Sequence, residues 1–463
     1  MKKILSFLLL MAVFGAARAE IRLPAIISSK MVLQQNATVK LWGWALPGER
    51  VKVTCSWNNS VDSVTTTPNA NWFIEIKTPA AGGPYTITLQ GWNTIKLDDV
   101  LIGEVWLCSG QSNMEYSGNN NLPDIKAELP KAANPKIRFF HIPKTTSTTP
   151  QDDVNARWVE CDAKSLQSFS AVGYFFGKTL HRELNAPVGL INASWGGTPA
   201  ETWTPESAVK TDSILSRAAG KLGVSQYWPR DPGYTYNGMI APLRNFNIAG
   251  AIWYQGESNV GTNSSYTKLF SAMINKWREE WKKNFAFYFV QIAPFNYGTD
   301  NINGSLLREA QFNTLAVTPN TGMAVVTDLV HNVKDIHPIN KHDVGYRLAG
   351  LALAKTYNKP VASLPYQYPV YEKMEVVKGK VVVTFKDVPG GLVIKGDTLK
   401  EFFVAGADKN FVQATGKVKG NTITLSSPVK EPVAVRFGFT NMGEGNLFSK
   451  EGLPATPFRT DNW

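Results

Sequence analysis

Glu104-Val105-Trp106-Leu107-Cys108 is a short apolar run, and it breaks at once into Ser109-Gly110-Gln111-Ser112-Asn113-Met114, a glycine turn carrying polar side chains. A near-continuous apolar run bounded by turn residues suits a strand covered on both faces. Similar runs recur at Ile137–His141, Val188–Asn192, Ala249–Tyr254, Phe287–Ile292 and Met323–Thr327. Between them lie stretches of helical period. In Ser265–Lys283, for instance, Tyr266, Phe270, Met273, Trp277 and Trp281 fall at steps of three or four. Val172–Leu184, Leu306–Val317 and His342–Tyr357 read the same way. Strands alternating with helices predict a doubly wound α/β domain with a mostly parallel sheet, over residues 99–358.

On either side the texture changes to period-two alternation. Thr38-Val39-Lys40-Leu41-Trp42-Gly43, Val51-Lys52-Val53 and Tyr85-Thr86-Ile87-Thr88-Leu89 precede the α/β region. Lys380–Phe385, Thr422–Leu425 and Val433–Phe437 follow it. Such alternation means strands with one face in water. A β-sandwich domain is therefore expected over 20–98, and a second β domain over 359–463.

Residues 1–19 read as a secretory signal peptide, with Lys2 and Lys3, an apolar run from Ile4 to Phe14, and Ala17-Arg18-Ala19 before Glu20. The run is too short to span a bilayer, and no cysteine follows it closely. An exported protein, periplasmic or extracellular and without a membrane anchor, is expected.

Composition narrows the function. The 463 residues are 43% hydrophobic and 18% charged, with 14 Trp, which excludes a disordered chain. Setting aside Lys2, Lys3 and Arg18, the 45 remaining cations exceed the 37 acids by eight. They are scattered among acids and not gathered into a stripe, so nucleic acid is not an expected partner. Cys55, Cys108 and Cys161 are too few for a disulfide scaffold, although a Cys108–Cys161 bridge is conceivable. There is no CxxC pair and no metal-ligand spacing with the five histidines, so no metal or cofactor is expected. Oligomeric state leaves no mark in the sequence.

In open α/β sheets, reactive groups sit in loops at the carboxyl ends of strands. The Ser112 loop is one such place. A serine there has its hydroxyl at the sheet rim and its N–H among the free donors of a helix start, where it can also act merely as a cap. A second loop is Asn192-Ala193-Ser194-Trp195-Gly196-Gly197-Thr198-Pro199, whose paired glycines let backbone N–H groups approach a substrate oxygen. The third, Tyr254-Gln255-Gly256-Glu257-Ser258-Asn259, offers Gln255 or Asn259 as amide donors, and Glu257 as a loop-fixing acceptor. A nucleophilic serine needs a base. His331, His337 and His342 crowd the stretch after the last strand, and two acid–histidine pairings compete there: Asp335 with His337, and Asp328 with His331.

Taken in order, Gly110-Gln111-Ser112-Asn113-Met114, Trp195-Gly196-Gly197-Thr198, Gln255-Gly256-Glu257-Ser258-Asn259 and Asp335-Ile336-His337-Pro338 resemble the sialate O-acetylesterase family of SGNH/GDSL-like hydrolases. Met31-Val32-Leu33-Gln34-Gln35 and Glu451-Gly452-Leu453-Pro454-Ala455 extend the likeness over most of the chain. The resemblance implies serine-esterase chemistry on O-acetylated sugars without a metal. It makes Ser112 the nucleophile, His337 the base and Asp335 its orienting acid. It also implies an oxyanion hole from the N–H groups of Ser112 and Gly197 and an amide of Gln255 or Asn259. Gln111 replaces the Asp of the broader Gly-Asp-Ser block, and Ser258 stands where that pattern has its Asn, so the amide would come from a neighbour.

Aromatic platforms for a sugar are expected near these loops, from Trp195, Trp203, Trp253 and Tyr254, with Trp195, in the Gly-Gly loop, favoured. Activity is expected to fall as His337 protonates, near the ordinary imidazole value of about 6.5. Two other readings stand beside this one: an acetyl esterase for plant polysaccharide such as xylan or xyloglucan, and a non-catalytic carbohydrate-binding protein. A sialic acid carboxylate would call for a nearby Arg.

Overall fold

The computed structural model describes residues 20–298 and 301–463, and the expected signal peptide, 1–19, lies outside the described residues. Strands β1 (Val32–Gln34), β2 (Thr38–Trp44), β3 (Arg50–Cys55), β4 (Ser60–Thr65), β5 (Asn71–Lys77) and β6 (Gly82–Gln90) lead into β7 (Thr94–Gly110). This last strand changes character along its length. Its first half alternates, with Ile95 and Leu97 inward of exposed Thr94, Lys96 and Asp98, and pairs antiparallel with β6. From Val100 to Gly110 every residue is buried, and that half becomes the centre of the α/β sheet. One strand thus belongs to both the N-terminal β layer and the α/β region, and a single apolar core runs from Ile21 to Tyr368.

The remaining strands of the sheet are β8 (Asn134–His141), β9 (Trp158–Cys161), β10 (Val188–Ser194), β11 (Gly250–Tyr254), β12 (Ala286–Val290) and β13 (Thr321–Ala324). They stand in the order β13-β12-β11-β7-β10-β8-β9, parallel except at β9. The apolar runs became strands because helices cover both faces of the sheet. The helices used below are α1 (Ser112–Glu115), α2 (Ala171–Leu184), α3 (Asn263–Trp281), α4 (Asn303–Val317) and α5 (His342–Lys355). In α3 the stripe Tyr266, Phe270, Met273 and Trp277 is buried as its spacing requires.

Sheet order rules out the Cys108–Cys161 bridge. Cys108 lies on β7 and Cys161 on β9, with β10 and β8 between them. Three interstrand steps make about 14 Å, twice the reach of a disulfide. All three cysteines are buried free thiols, and burial pushes those of Cys55 and Cys161 up to about 12.

After Tyr368 the chain forms a second β region with its own apolar core around Val383, Phe385, Phe402, Phe437 and Leu447. It grips the α/β region at α4. The fully buried Arg308 donates to the carbonyls of Thr440 and Asn441, and the Asn441 side chain accepts from the Gly304 N–H at 2.8 Å. Arg459 forks onto Glu309 with both contacts at 2.8 Å.

Candidate active site

Register alone assembles three of the loops. Gly110 at the end of β7 pairs with Ser194 on β10 and Tyr254 on β11, so these strands stop at one level on adjacent tracks. Their loops therefore emerge side by side. The Gln111 N–H donates to the Tyr254 carbonyl and the Trp195 N–H to that of Gly110, both at 3.0 Å. Gly110 has φ +134°, and a Cβ there would lie 2.2 Å from the Tyr254 oxygen, so only glycine permits this closeness.

Ser112 is the first residue of α1. Its Oγ lies 2.9 Å from Nε2 of His337, which arrives on the long segment between β13 and α5. Asp335 Oδ1 accepts the backbone N–H of His337 at 2.9 Å and stands 3.6 Å from its Nδ1. The other oxygen of Asp335 is 3.6 Å from His331 Nε2, so one carboxylate lies between two histidines. Asp328 is committed elsewhere, forked onto Arg347 with both contacts at 2.7 Å. Of the two pairings open in the sequence, the geometry brings only Asp335 and His337 to the serine. Tyr116 stacks on the His337 ring at 4.3 Å between centroids.

Behind the serine, Asn113 joins three groups. Its amide donates to Glu257 at 2.6 Å and to the Ile336 carbonyl at 3.0 Å, and its oxygen accepts from Lys341 at 2.6 Å. Glu257 is thus the loop-fixing acceptor expected. Lys341 is 1% exposed and lies over the rings of Tyr116 and Tyr254. Burial brings its ammonium down to about 7, against the pull of Glu257, Asp124 and Asp335. Burial first, and then the Lys341 charge, lowers the His337 pKa below the ordinary imidazole value, while Asp335 works to raise it.

The N–H groups of Ser112 and Gly197 have no acceptor among the described residues. Gly197 (φ +79°) is held from behind by Ser258, whose hydroxyl donates to its carbonyl at 3.0 Å. Glu115 accepts the neighbouring Gly196 N–H at 2.5 Å and pairs with Lys144. Free donors and serine therefore share one cleft, the arrangement that acyl transfer through a tetrahedral oxyanion requires.

Two expectations are corrected. Gln255 and Asn259 are fully buried, and their amides are spent. Gln255 donates to the Asn259 oxygen (2.7 Å) and the Thr198 carbonyl (3.3 Å), and Asn259 donates to Glu201 (2.8 Å) and Thr262 (3.2 Å). They brace the loops and do not reach the cleft. Trp253 is also no platform: near the end of β11 it is fully buried among Trp203, Phe270, Trp277 and Phe287, and Trp203 and Tyr254 are fully buried as well. Trp195 is half-buried at the rim, with Lys144 above its ring at 6.0 Å.

Sequence reasoning missed Tyr116, Lys341 and Trp228. The first two stand two and three residues beyond recognised motifs and were readable as neighbours. Trp228 lies in an aperiodic stretch that carries no signal, yet its indole covers Gly197.

A family model described as carbohydrate esterase, sialic acid-specific acetylesterase, matches residues 102–358. The sialate O-acetylesterase of Mus musculus is 30% identical to this chain, the match covering 80% of this chain and 79% of that protein. That of Homo sapiens is also 30% identical, with 79% and 76% covered. Among solved structures, a carbohydrate acetylesterase from Xanthomonas citri is similar at TM-score 0.87 and 35% identity, covering 96% of this chain and all of that one.

Proposed function

Because this chain belongs to the sialic acid-specific acetylesterase family of carbohydrate esterases, we propose that it removes O-acetyl groups from sugars with Ser112 as nucleophile, His337 as base and Asp335 as the acid that orients it. The observation that carries the assignment is the 2.9 Å contact between Ser112 Oγ and His337 Nε2, beside two free backbone donors.

In this reading His337 takes the serine proton as Oγ attacks the acetyl carbonyl. The oxyanion is met by the N–H groups of Ser112 and Gly197. Collapse expels the sugar hydroxyl, protonated by His337, and leaves an acetyl-serine. Water, activated by the same ring, then releases acetate. The loose 3.6 Å contact between Asp335 and Nδ1 shortens as the ring becomes charged, since such bonds tighten on the reaction path.

Sialic acid is the sugar favoured by the family's description. The protein is exported, residues 1–19 being its cleaved leader, which mass spectrometry of the secreted chain would find starting at Glu20. The deciding experiment measures acetate release from O-acetylated sialic acid and acetylated xylan, with Ser112→Ala as control. Serine-dependent release from sialic acid supports the reading, and release from xylan alone moves the substrate to plant polysaccharide. No release from either would favour the carbohydrate-binding alternative.

A further inference from the structure

The two backbone donors of the cleft must point at one place to meet an oxyanion, and they are held there by different means. The Ser112 N–H shares its peptide unit with the Gln111 carbonyl, which accepts from both Met114 and Glu115, so hydrogen bonds fix that unit. The Gly197 N–H has no such tie. Its peptide unit lies between two glycines, and the Gly196 carbonyl at the other end accepts nothing among the described residues. The nearest hydrogen bonds hold the neighbouring units: Glu115 takes the Gly196 N–H, and Ser258 donates to the Gly197 carbonyl. A peptide between two glycines can turn over at little steric cost, because neither side carries a Cβ.

Packing supplies what the hydrogen bonds leave out. The indole of Trp228 stands where a side chain on Gly197 would be: a Cβ there would lie 2.4–2.7 Å from three of its ring atoms. At the other glycine, a Cβ on Gly196 would be 3.2 Å from the Ser112 Cβ. The donor peptide is thus wedged between the indole and the serine. Trp228 arrives on residues 223–232, whose hydrogen bonds among the described residues are local, Tyr227 N–H to Ser225 and Tyr234 N–H to the Asp231 carbonyl. Val224 and Tyr227 of that segment are 98% and 79% exposed. The indole N–H itself is buried and meets no acceptor, so the ring docks on the loop by shape alone.

We propose that Trp228 is a positioning residue for the esterase reaction: its indole blocks rotation of the Gly196–Gly197 peptide and so keeps the Gly197 N–H turned toward the oxyanion. This rests on the reading of Ser112 as nucleophile and Gly197 as oxyanion donor, and goes beyond it in assigning a residue that acts through the loop and not on the reacting atoms. A donor that engages the tetrahedral oxyanion more strongly than the ground-state ester contributes to kcat and little to KM. The role of Trp228 should therefore show in turnover. Because its N–H has no partner, phenylalanine keeps the part of the side chain that matters.

The test measures kcat and KM on whichever acetylated sugar the wild type hydrolyses, in Trp228→Ala, Trp228→Phe, Gly197→Ala and the double variant Trp228→Ala/Gly197→Ala, with thermal unfolding alongside. In Trp228→Ala, kcat is expected to fall about ten- to hundredfold with KM within about threefold of wild type, and Trp228→Phe to recover most of the loss. If the indole acts through the Gly197 donor, the two losses are one event, and the double variant should be within about threefold of the slower single variant. A merely structural indole would lower the unfolding midpoint and leave kcat per folded molecule in place. The proposal is overturned by a kcat within about twofold of wild type in Trp228→Ala, by a loss confined to KM, by a Phe variant as slow as Ala, or by losses that multiply in the double variant. If Trp228→Ala does not fold, Trp228→Leu, which fills part of the space without the flat ring, takes its place in the same cycle. Loss of the nucleophile separates the two readings. If Ser112→Ala keeps its activity, or the wild type hydrolyses neither sugar, the esterase reading fails; if Ser112 is required and Trp228 is indifferent, only the positioning role fails.

Discussion

At the residue scale, the serine is held by what lies behind it. Asn113 ties a buried carboxylate, a buried ammonium and the backbone next to His337 into one unit, so Ser112 and His337 share supports. Burial, and then the charge of Lys341, give the pH behaviour of His337 a direction. The ring must be neutral to accept the serine proton, and its pKa is depressed, so activity should persist below the ordinary imidazole value of about 6.5. This moves the acid limb lower than the sequence alone suggested. Removing the cation in Lys341→Met should raise the limb, and removing the anion in Asp335→Asn should lower it while also cutting turnover. Profiles of kcat/KM against pH check both signs. In Gly197→Ala a Cβ would meet the Trp228 indole at a backbone angle that favours glycine. Displacing that N–H should cost about 10²–10³ in kcat, the usual loss for one oxyanion donor.

At the element scale, strand register and helix contact do the positioning. Gly110, Ser194 and Tyr254 end in one row, and three loops that are each unremarkable in sequence become one site. The segment carrying His337 is anchored by α5, whose Gly345 lies against α2. A Cβ at Gly345 would come within 2.7 Å of the Val172 carbonyl and 2.8 Å of the Phe176 nitrogen. Neither atom is free to move, because both are backbone. Gly345→Ala should therefore push the helices apart and destabilise the fold by about 1–3 kcal/mol, despite the better helix propensity of alanine. Thermal unfolding measures this, and an unchanged midpoint would mean that the helices can slide.

At the scale of the whole molecule, the C-terminal β region is clasped to α4 by a buried arginine and a half-buried ion pair. Arg308→Met would strand the buried carbonyls of Thr440 and Asn441, and should cost about 1–3 kcal/mol. Arg459→Ala, which breaks the partly exposed pair with Glu309, should cost no more than about 1 kcal/mol. Chemical denaturation of both variants tests the contrast. The clasp bears on the site as well. Asn441 donates to the carbonyls of Gly298 and Asn301, and the nearby Asn296 N–H donates to Val333, two residues before Asp335. A continuous path of hydrogen bonds and chain thus links the second β region to the loop that carries His337.

Much of this was legible in the sequence. Apolar runs gave the buried strands and a three-to-four spacing gave the helices, because burial on one face or two leaves a direct imprint on residue order. The order of four short motifs pointed to the family and to Ser112, Asp335 and His337. The choice between Asp335 and Asp328 was tertiary, since it turns on Arg347 reaching Asp328 from another element. So was the fate of the amides: nothing in the order Gln255-Gly256-Glu257-Ser258-Asn259 says that both side chains turn inward to brace neighbouring loops. Trp253 was a platform candidate for its nearness to the loops, although its place in an apolar strand already spoke for the core; its side chain faces the α3 side of the sheet, where only packing decides exposure. Trp228 carries no local pattern at all, and Lys341 has only its nearness to the Asp335–Pro338 motif. Their surroundings come from residues far away in the chain, and a sequence records which side chains are present, while only the folded chain determines what each one faces.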